Sequence, residues 1–325
     1  MKQVNISREQ INTYLKDFFL PLLLPDHPPY HFEITDKGQR NTITYLFLEG
    51  FKPLLLKGTR KKRNAVHMWE GNCHLRARGI KAPEIIYIDF NRKAFKKFGC
   101  YFVCEEKIEG KICGEMDNPM DFLPLAAEAF SRMHRIKRPQ WGRPWAGKRF
   151  GFWGYLKGKI EEKLQLLSAC NNLFSEKHSE RYWNWFMSYK DTVSRCKSFS
   201  LSHCDPHTHN VLINDAKEVY LLDNESLRYL PFSIEFFKLQ YHFFQDDAEK
   251  TARWQEAYLA YLSEDERKEF NSSKDFFNCY AALDFAQREA YNLSQLAGKT
   301  ENYTPYPLSI ERARDLMEEI ITHAG

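Results

Sequence analysis

One change of pattern constrains the fold of this chain more than any other feature. Before Gly110 the apolar residues come in short strand-like runs; after it they come at helical spacing. HFEIT and TITYLFLE are separated by DKGQRN, a turn with Gly38 and Asn41, and PLLLKGT follows Gly50. Tight connections of this kind predict an antiparallel meander. Asn64 to Arg78 reads as a helix, with Val66, Trp69 and Cys73 on one face and Gly79 as its stop. PEIIYIDF and CYFVCEE add two strands, joined by the basic loop NRKAFKKFG. A capping box at Ser7 and Gln10 opens a helix over Arg8 to Phe19 ahead of them.

The second part is predicted to be mainly helical. Helices are expected over Phe122 to Arg135, Phe152 to Leu167, Glu180 to Cys196, Phe232 to Phe244, Lys250 to Leu262, Ser273 to Ala297 and Ile310 to His323. WNWFM in the third of these reads as core. The one interruption is a short strand–turn–strand, VLI–NDAK–EVYLL. The class is therefore α+β, with a β-rich lobe at 1–106 and a helical lobe at 107–325; a chain of 325 residues exceeds what one core usually fills.

Composition excludes several alternatives. Apolar residues make up 43% and charged residues 28%, which is a folded globular balance. A net charge of +4 does not call for a nucleic-acid partner, although basic residues cluster at Lys57 to Arg63 and between Arg132 and Arg149. The apolar run Phe18 to Leu24 is interrupted by Pro21 and falls short of the ~20 residues a membrane span needs. No signal-peptide pattern opens the chain, and its eight cysteines form no CxxC pair; reduced thiols in a cytoplasmic enzyme are the expectation.

The chemistry concentrates in LSHCDPHTHNVLI and the following VYLLDNE. Three histidines, His203, His207 and His209, suggest zinc and hence a hydrolase. Pro206 breaks the regular backbone that would set His203 and His207 one helical turn apart, and no water-activating carboxylate stands at a known spacing. The carboxylates offer another reading. Asp205, then Asn210, then a hairpin, then Asp223 is a spacing that phosphoryl transfer uses: one aspartate takes the hydroxyl proton, and an asparagine and a second aspartate hold Mg²⁺ against ATP. Their oxygens suit a hard, octahedral ion. His203 and His207 then brace the loop.

His203-x-Asp205-x-His207-x-x-Asn210, followed by an apolar strand and Asp223-x-Glu225, resembles the aminoglycoside phosphotransferase and choline kinase branch of the protein-kinase-like superfamily. The resemblance spans about residues 33 to 240. It implies a bilobal protein-kinase-like fold and γ-phosphoryl transfer from ATP to a small-molecule or sugar hydroxyl. It further implies that Lys57 meets the α- and β-phosphates and is held by Glu70. Gly38 and Gln39 would cover the phosphates, and backbone near Glu105 and Glu106 would meet the adenine. Met133-His134 matches the branch's Leu-His, and Glu225 supports the metal loop.

Pro206 and Asn224 depart from the branch's pattern, and the phosphate turn has one glycine, yet no base or metal position is missing. An active kinase is expected, with a nucleotide-binding pseudokinase scaffold or a zinc hydrolase as the alternatives. Glu235, Asp246, Asp247, Asp284 and Glu289 are candidates for a cationic acceptor. RIKRPQWGRPWAGKR tilts the reading toward an acidic sugar, such as a lipopolysaccharide-core sugar. A lipid-linked acceptor would bring the chain to a membrane surface.

Overall fold

The computed structural model describes residues 6–24, 28–35, 43–116, 118–146, 151–170, 174–245, 247–296 and 306–323. The chain divides into two compact units, Met1–Lys111 with Val211–Ser226, and Ile112–Asn210 with Leu227–Gly325. The first crossing between the units falls at Lys111/Ile112, against an expected boundary at 106/107. The hairpin carrying Asp223, however, belongs with the first unit and not with the helical lobe.

In the first unit, strands β1 (Tyr30–Thr35), β2 (Ile43–Leu48), β3 (Leu54–Thr59), β4 (Ile85–Asp89) and β5 (Tyr101–Glu106) form one antiparallel sheet in the order β1-β2-β3-β5-β4. Side chains alternate across it. Leu46, Leu56, Phe102 and Cys104 face a core completed by Ile11, Tyr14, Leu15 and Phe19. Ile11 and Tyr14 come from α1 (Arg8–Tyr14), opened by the Ser7–Gln10 capping box as the sequence predicts, and Leu15 and Phe19 from a π-helical turn (Leu15–Phe19) that runs on into α2 (Leu20–Leu23). Pro21 does not end this element, because it lies in the first turn of α2, where its missing N–H costs nothing.

The other face of the sheet carries Val103 against Ala65 and Met68 of α3 (Lys62–Arg76). The expected apolar face of α3 is corrected: Trp69 is 48% exposed and Cys73 is exposed, while Ala65, Met68, Gly71, Asn72 and Leu75 are buried. The basic loop NRKAFKKFG is also corrected. It forms α4 (Arg92–Phe98), capped by the Asn91 side chain and ended by Gly99 in the left-handed conformation.

The second unit contains β6 (Lys111–Ile112, at its edge), α5 (Leu123–His134), β7 (Lys137–Arg138), α6 (Phe152–Cys170), α7 (Glu176–Ser188), α8 (Lys190–Ser194) and β8 (Phe199–Ser202). The hairpin β9 (Val211–Ile213) and β10 (Val219–Leu221) intervenes and packs with the first unit. β11 (Arg228–Leu230), α9 (Phe232–Phe244), α10 (Ala248–Leu259), α11 (Glu264–Leu296) and α12 (Ile310–His323) complete it. β11, β8 and β7 pair into a small sheet. The aromatic core expected of WNWFM reduces to Phe186, with Tyr182 beside it in α7. α11 begins at Glu264, well before the expected Ser273, its first turn rich in Glu264, Asp265 and Glu266.

α3 meets the turn after β10 at very short range. A Cβ on Gly71 would lie 2.2 Å from the Asn224 carbonyl oxygen. Asn224, fully buried, donates to Asn72 Oδ1 and to the Leu221 carbonyl, both at 2.8 Å, and Asn72 donates to Pro83. Asn224 thus ties the turn to α3. Gly71→Ala is expected to lower the unfolding midpoint in denaturant by the equivalent of about 1–3 kcal/mol, the usual cost of overpacking. An unchanged midpoint would show that α3 and the turn can separate freely.

Candidate functional site

Lys57 lies on β3, facing the same side as Val103 and Glu105 on the neighbouring strand. Its ammonium is 2.7 Å from Glu105 and 3.3 Å from Asp223. Burial by itself would lower the Lys57 pKa, but the two carboxylates outweigh it and hold the ammonium above its ordinary value. Glu105 is pushed up by burial and drawn back by Lys57. The expected partner of Lys57 was Glu70; in the structure that place is taken by Glu105. A β5 carboxylate two residues from the cross-strand partner of Lys57 reaches that lysine diagonally, whereas Glu70 belongs to α3. Nothing in the one-dimensional spacing distinguishes the two.

The expected adenine-facing backbone is also differently engaged. The Glu106 amide donates to the Glu84 carbonyl and the Lys107 amide to Pro53, while the Glu106 carboxylate accepts from Arg76 and from the Glu84 amide. Gly38 and Gln39 lie outside the described residues. Asp223 follows β10 with φ +58, a left-handed backbone that costs a non-glycine residue energy. That conformation sets its carboxylate, 43% exposed, beside Lys57. Glu225 follows in a single 3₁₀ turn.

In the second unit, Asp205 sits on an irregular loop between β8 and the 3₁₀ turn Thr208–Asn210. Its amide donates to His203 Nδ1 at 3.3 Å, and its carbonyl accepts from the Asn210 side chain and the His207 amide, both at 3.0 Å. Cys204 immediately before it has φ +68. The loop is held from below by Glu235 of α9. This carboxylate, 1% exposed, accepts from the amides of His203 at 2.9 Å and Cys204 at 2.6 Å. It also binds His134 Nε2 at 2.9 Å, and His134 Nδ1 meets the Tyr258 hydroxyl. Burial would raise the Glu235 pKa, but His134, His203 and the Cys204 amide more than offset it and hold it below the ordinary carboxylate value.

Glu235 was expected to meet a cationic acceptor; it is spent on the loop. The sequence did contain the signal, because Met133-His134 ends a helix and needs a buried partner. The remaining acidic candidates are likewise committed. Asp247 caps α10, Glu289 accepts the Tyr306 amide, and Asp284 is surrounded by Lys163, Lys238 and Arg288. Asp246 lies outside the described residues. Among the basic candidates, Arg138 spends its guanidinium on the carbonyls of Gln140, Gly142, Arg143 and Pro144 and stacks over Tyr229; Lys137 pairs with Glu266.

Among the described residues no three His, Cys, Asp or Glu side chains converge as a metal centre would require, so the zinc alternative has no constellation behind it. His203 directs Nδ1 to the Asp205 amide, and the His207 and His209 rings lie 6.0 Å apart, tilted. The residue types suit a hard divalent cation in each unit taken by itself. In the second, Asp205 and Asn210 offer a carboxylate and an amide oxygen, the Asn210 nitrogen being engaged by the Asp205 carbonyl, and in the first Asp223 offers a carboxylate.

Glu235→Ala leaves two buried amides and an imidazole without their acceptor, and should destabilise the second unit by about 3–5 kcal/mol. Glu235 and Asp284 are both held below their ordinary values, in each case against burial, Asp284 by Lys238, Arg288 and Lys163. The stability they contribute is therefore complete above about pH 4.3 and is lost as the pH falls through their folded values. Urea titrations between pH 7 and pH 3 should show that loss, and Asp284→Asn should flatten the slope.

Comparison with known proteins follows the same lines. The family model of the phosphotransferase enzyme family matches residues 65–270. No curated protein matches the chain. Among solved structures, aminoglycoside phosphotransferase APH(4)-Ia is similar at a TM-score of 0.69, with 10% identity, over 97% of this chain and 99% of that one. A thermostable mutant of it, in a ternary complex with ADP and hygromycin B, gives 0.65 and 10% identity over 90% and 93%. Ethanolamine kinase from Plasmodium vivax gives 0.58 and 14% identity over 95% and 86%. These likenesses establish the kinase-like α+β fold. Since the family model spans well over half of its length, the chain belongs to the phosphotransferase enzyme family.

Proposed function

We propose that this chain transfers the γ-phosphoryl group of ATP, with Mg²⁺, to a hydroxyl of a small molecule. One observation carries the reading: a buried lysine, held charged, stands 3.3 Å from an aspartate whose backbone is strained to present its carboxylate. Such strain concentrates at functional sites, and the fold has paid for it with the Asn224–Asn72 anchor. The structural neighbour that holds ADP together with hygromycin B supports nucleotide use by this fold.

In this reading Asp205 orients the acceptor hydroxyl and takes its proton. Asn210 and Asp223 would hold Mg²⁺, which when bound neutralises phosphate charge. Lys57 binds the nucleotide phosphates, and Glu105, rather than Glu70, orients Lys57. The amide hydrogen bonds that tie His203, Cys204 and Asp205 to Glu235 and to each other keep the base in place before substrate arrives, so most of the catalytic effect is positioning. No described helix is long and apolar enough to cross a membrane. A cytoplasmic enzyme agrees with seven described cysteines that are all unpaired.

A thermal-unfolding series tests the reading. ATP with Mg²⁺, near 100 times its dissociation constant, should stabilise the chain by about 2.7 kcal/mol, and ATP alone by clearly less. A shift with zinc and none with Mg·ATP would overturn the assignment. Once an acceptor is in hand, Asp205→Asn should lower kcat by about 10²–10⁴, the usual contribution of a general base, with little change in KM for ATP. Asp223→Ala should abolish Mg²⁺-dependent turnover while the circular-dichroism spectrum stays unchanged; normal turnover would remove Asp223 from the metal role.

A further inference from the structure

Among the described residues of the second unit, three cations share one buried carboxylate. Asp284 on α11 is 6% exposed. It pairs with Lys163 from α6, with Lys238 from α9 at 2.6 Å and with Arg288, one turn along α11, at 3.1 Å. The lysine side chains are 9% and 12% exposed. Arg228, at the start of β11, donates to Tyr155 at 3.1 Å and lies within electrostatic reach of Tyr280, as Asp284 and Arg288 do.

This cluster borders the loop that holds Asp205. Arg228 and Lys238 lie within electrostatic range of Cys204, next to Asp205, and Arg288 within that of Asp205 itself. The His207 ring of the same loop lies 6.1 Å from His242 of α9, which in turn meets Phe285 of α11 edge-on at 5.0 Å. Among the described residues, the carboxylate at ion-pair distance from Lys163, Lys238 and Arg288 is Asp284. Glu235 and Glu289 are already committed elsewhere. Unneutralised charge is costly to bury, so cations that crowd one carboxylate call for a ligand of opposite sign. His242 carries the same imprint: burial first, then His207, Lys238 and Arg288, keep it neutral well below its ordinary pKa.

Arg288 is built to receive that ligand. Its Nε holds Asp284 and one hydrogen bond goes to Tyr306, but the side chain remains 37% exposed, and a guanidinium has five donors. Asp284 acts as the strut that fixes Arg288 and Lys238 in place. The planar fork suits a phosphate or carboxylate.

We propose that Arg288 and Lys238, with Arg228 beside them and Lys163 behind, bind an anionic group carried by the acceptor itself, a phosphate or carboxylate on the molecule whose hydroxyl is phosphorylated. The inference rests on the phosphotransferase reading and names its acceptor class. A cationic acceptor meets repulsion at this place. It also moves recognition away from the arginine-rich segment at 135–149, where Arg138 serves the backbone.

Calorimetry on the full chain, saturated with Mg·AMP-PNP, decides the matter with inorganic phosphate, glucose 6-phosphate, glucose and glucosamine as probes. Glucose 6-phosphate should bind at least tenfold more tightly than glucose, and glucosamine more weakly still. Arg288→Gln and Lys238→Gln should each weaken it tenfold or more, Lys238→Arg should restore most of the loss, and Mg·AMP-PNP affinity should stay within twofold. No saturable binding of either phosphate probe, equal affinity for the three sugars, or unchanged affinity in both Gln variants overturns the proposal. A parallel loss of Mg·AMP-PNP binding in the variants assigns the cations to the nucleotide and overturns it too. If the wild-type chain binds no Mg·AMP-PNP, the phosphotransferase reading fails, and the same titrations on the unliganded chain still decide whether the anion seat exists.

Discussion

A single buried carboxylate organises the chemistry of the second unit. Glu235 satisfies the amides of His203 and Cys204 and the imidazole of His134 at once. An ionised side chain in this position survives because both of its oxygens are hydrogen-bonded; left unpaired, it would be among the most costly groups a core can hold. Through Glu235, the end of α5, the start of α9 and the Tyr258 hydroxyl of α10 determine where the 203–210 loop lies. The left-handed Cys204 is a consequence: both amides can point at one carboxylate only if the backbone turns sharply there.

The first unit uses a different device for the same purpose. Its polar pair, Lys57 and Glu105, is diagonal across two neighbouring strands, and its second carboxylate arrives from the turn after β10. That turn reaches the sheet because α3 has no side chain at Gly71 and because Asn224 and Asn72 hydrogen-bond across the contact. Strain at Asp223 and the buried amide pair belong together.

Charge surrounding Asp205 is distributed unevenly, and this bears on specificity. The acidic residues that could attract a cation are consumed by internal partners, while Arg288 remains partly open to solvent. Family membership sets the reaction class and leaves the acceptor to the residues around the site.

Much of this was legible in the chain itself. Strand runs before Gly110 and helical spacing after it determined the α+β class, because side-chain period follows directly from backbone geometry. The grouping of His203, Asp205, His207, Asn210 and Asp223 was local enough to be read, since loop chemistry needs residue types at short, regular intervals. Only tertiary structure decided the rest. Glu105 rather than Glu70 holds Lys57 because cross-strand register, not sequence distance, sets which carboxylate reaches it. Glu235 faces inward and Asp284 gathers three cations because helices far apart in the chain bring their partners to them. α3 turns Trp69 outward because the contact with Asn224 demands Gly71 and Asn72 on the inner face. Apolar spacing alone cannot register a helix whose decisive contact is polar and glycine-mediated.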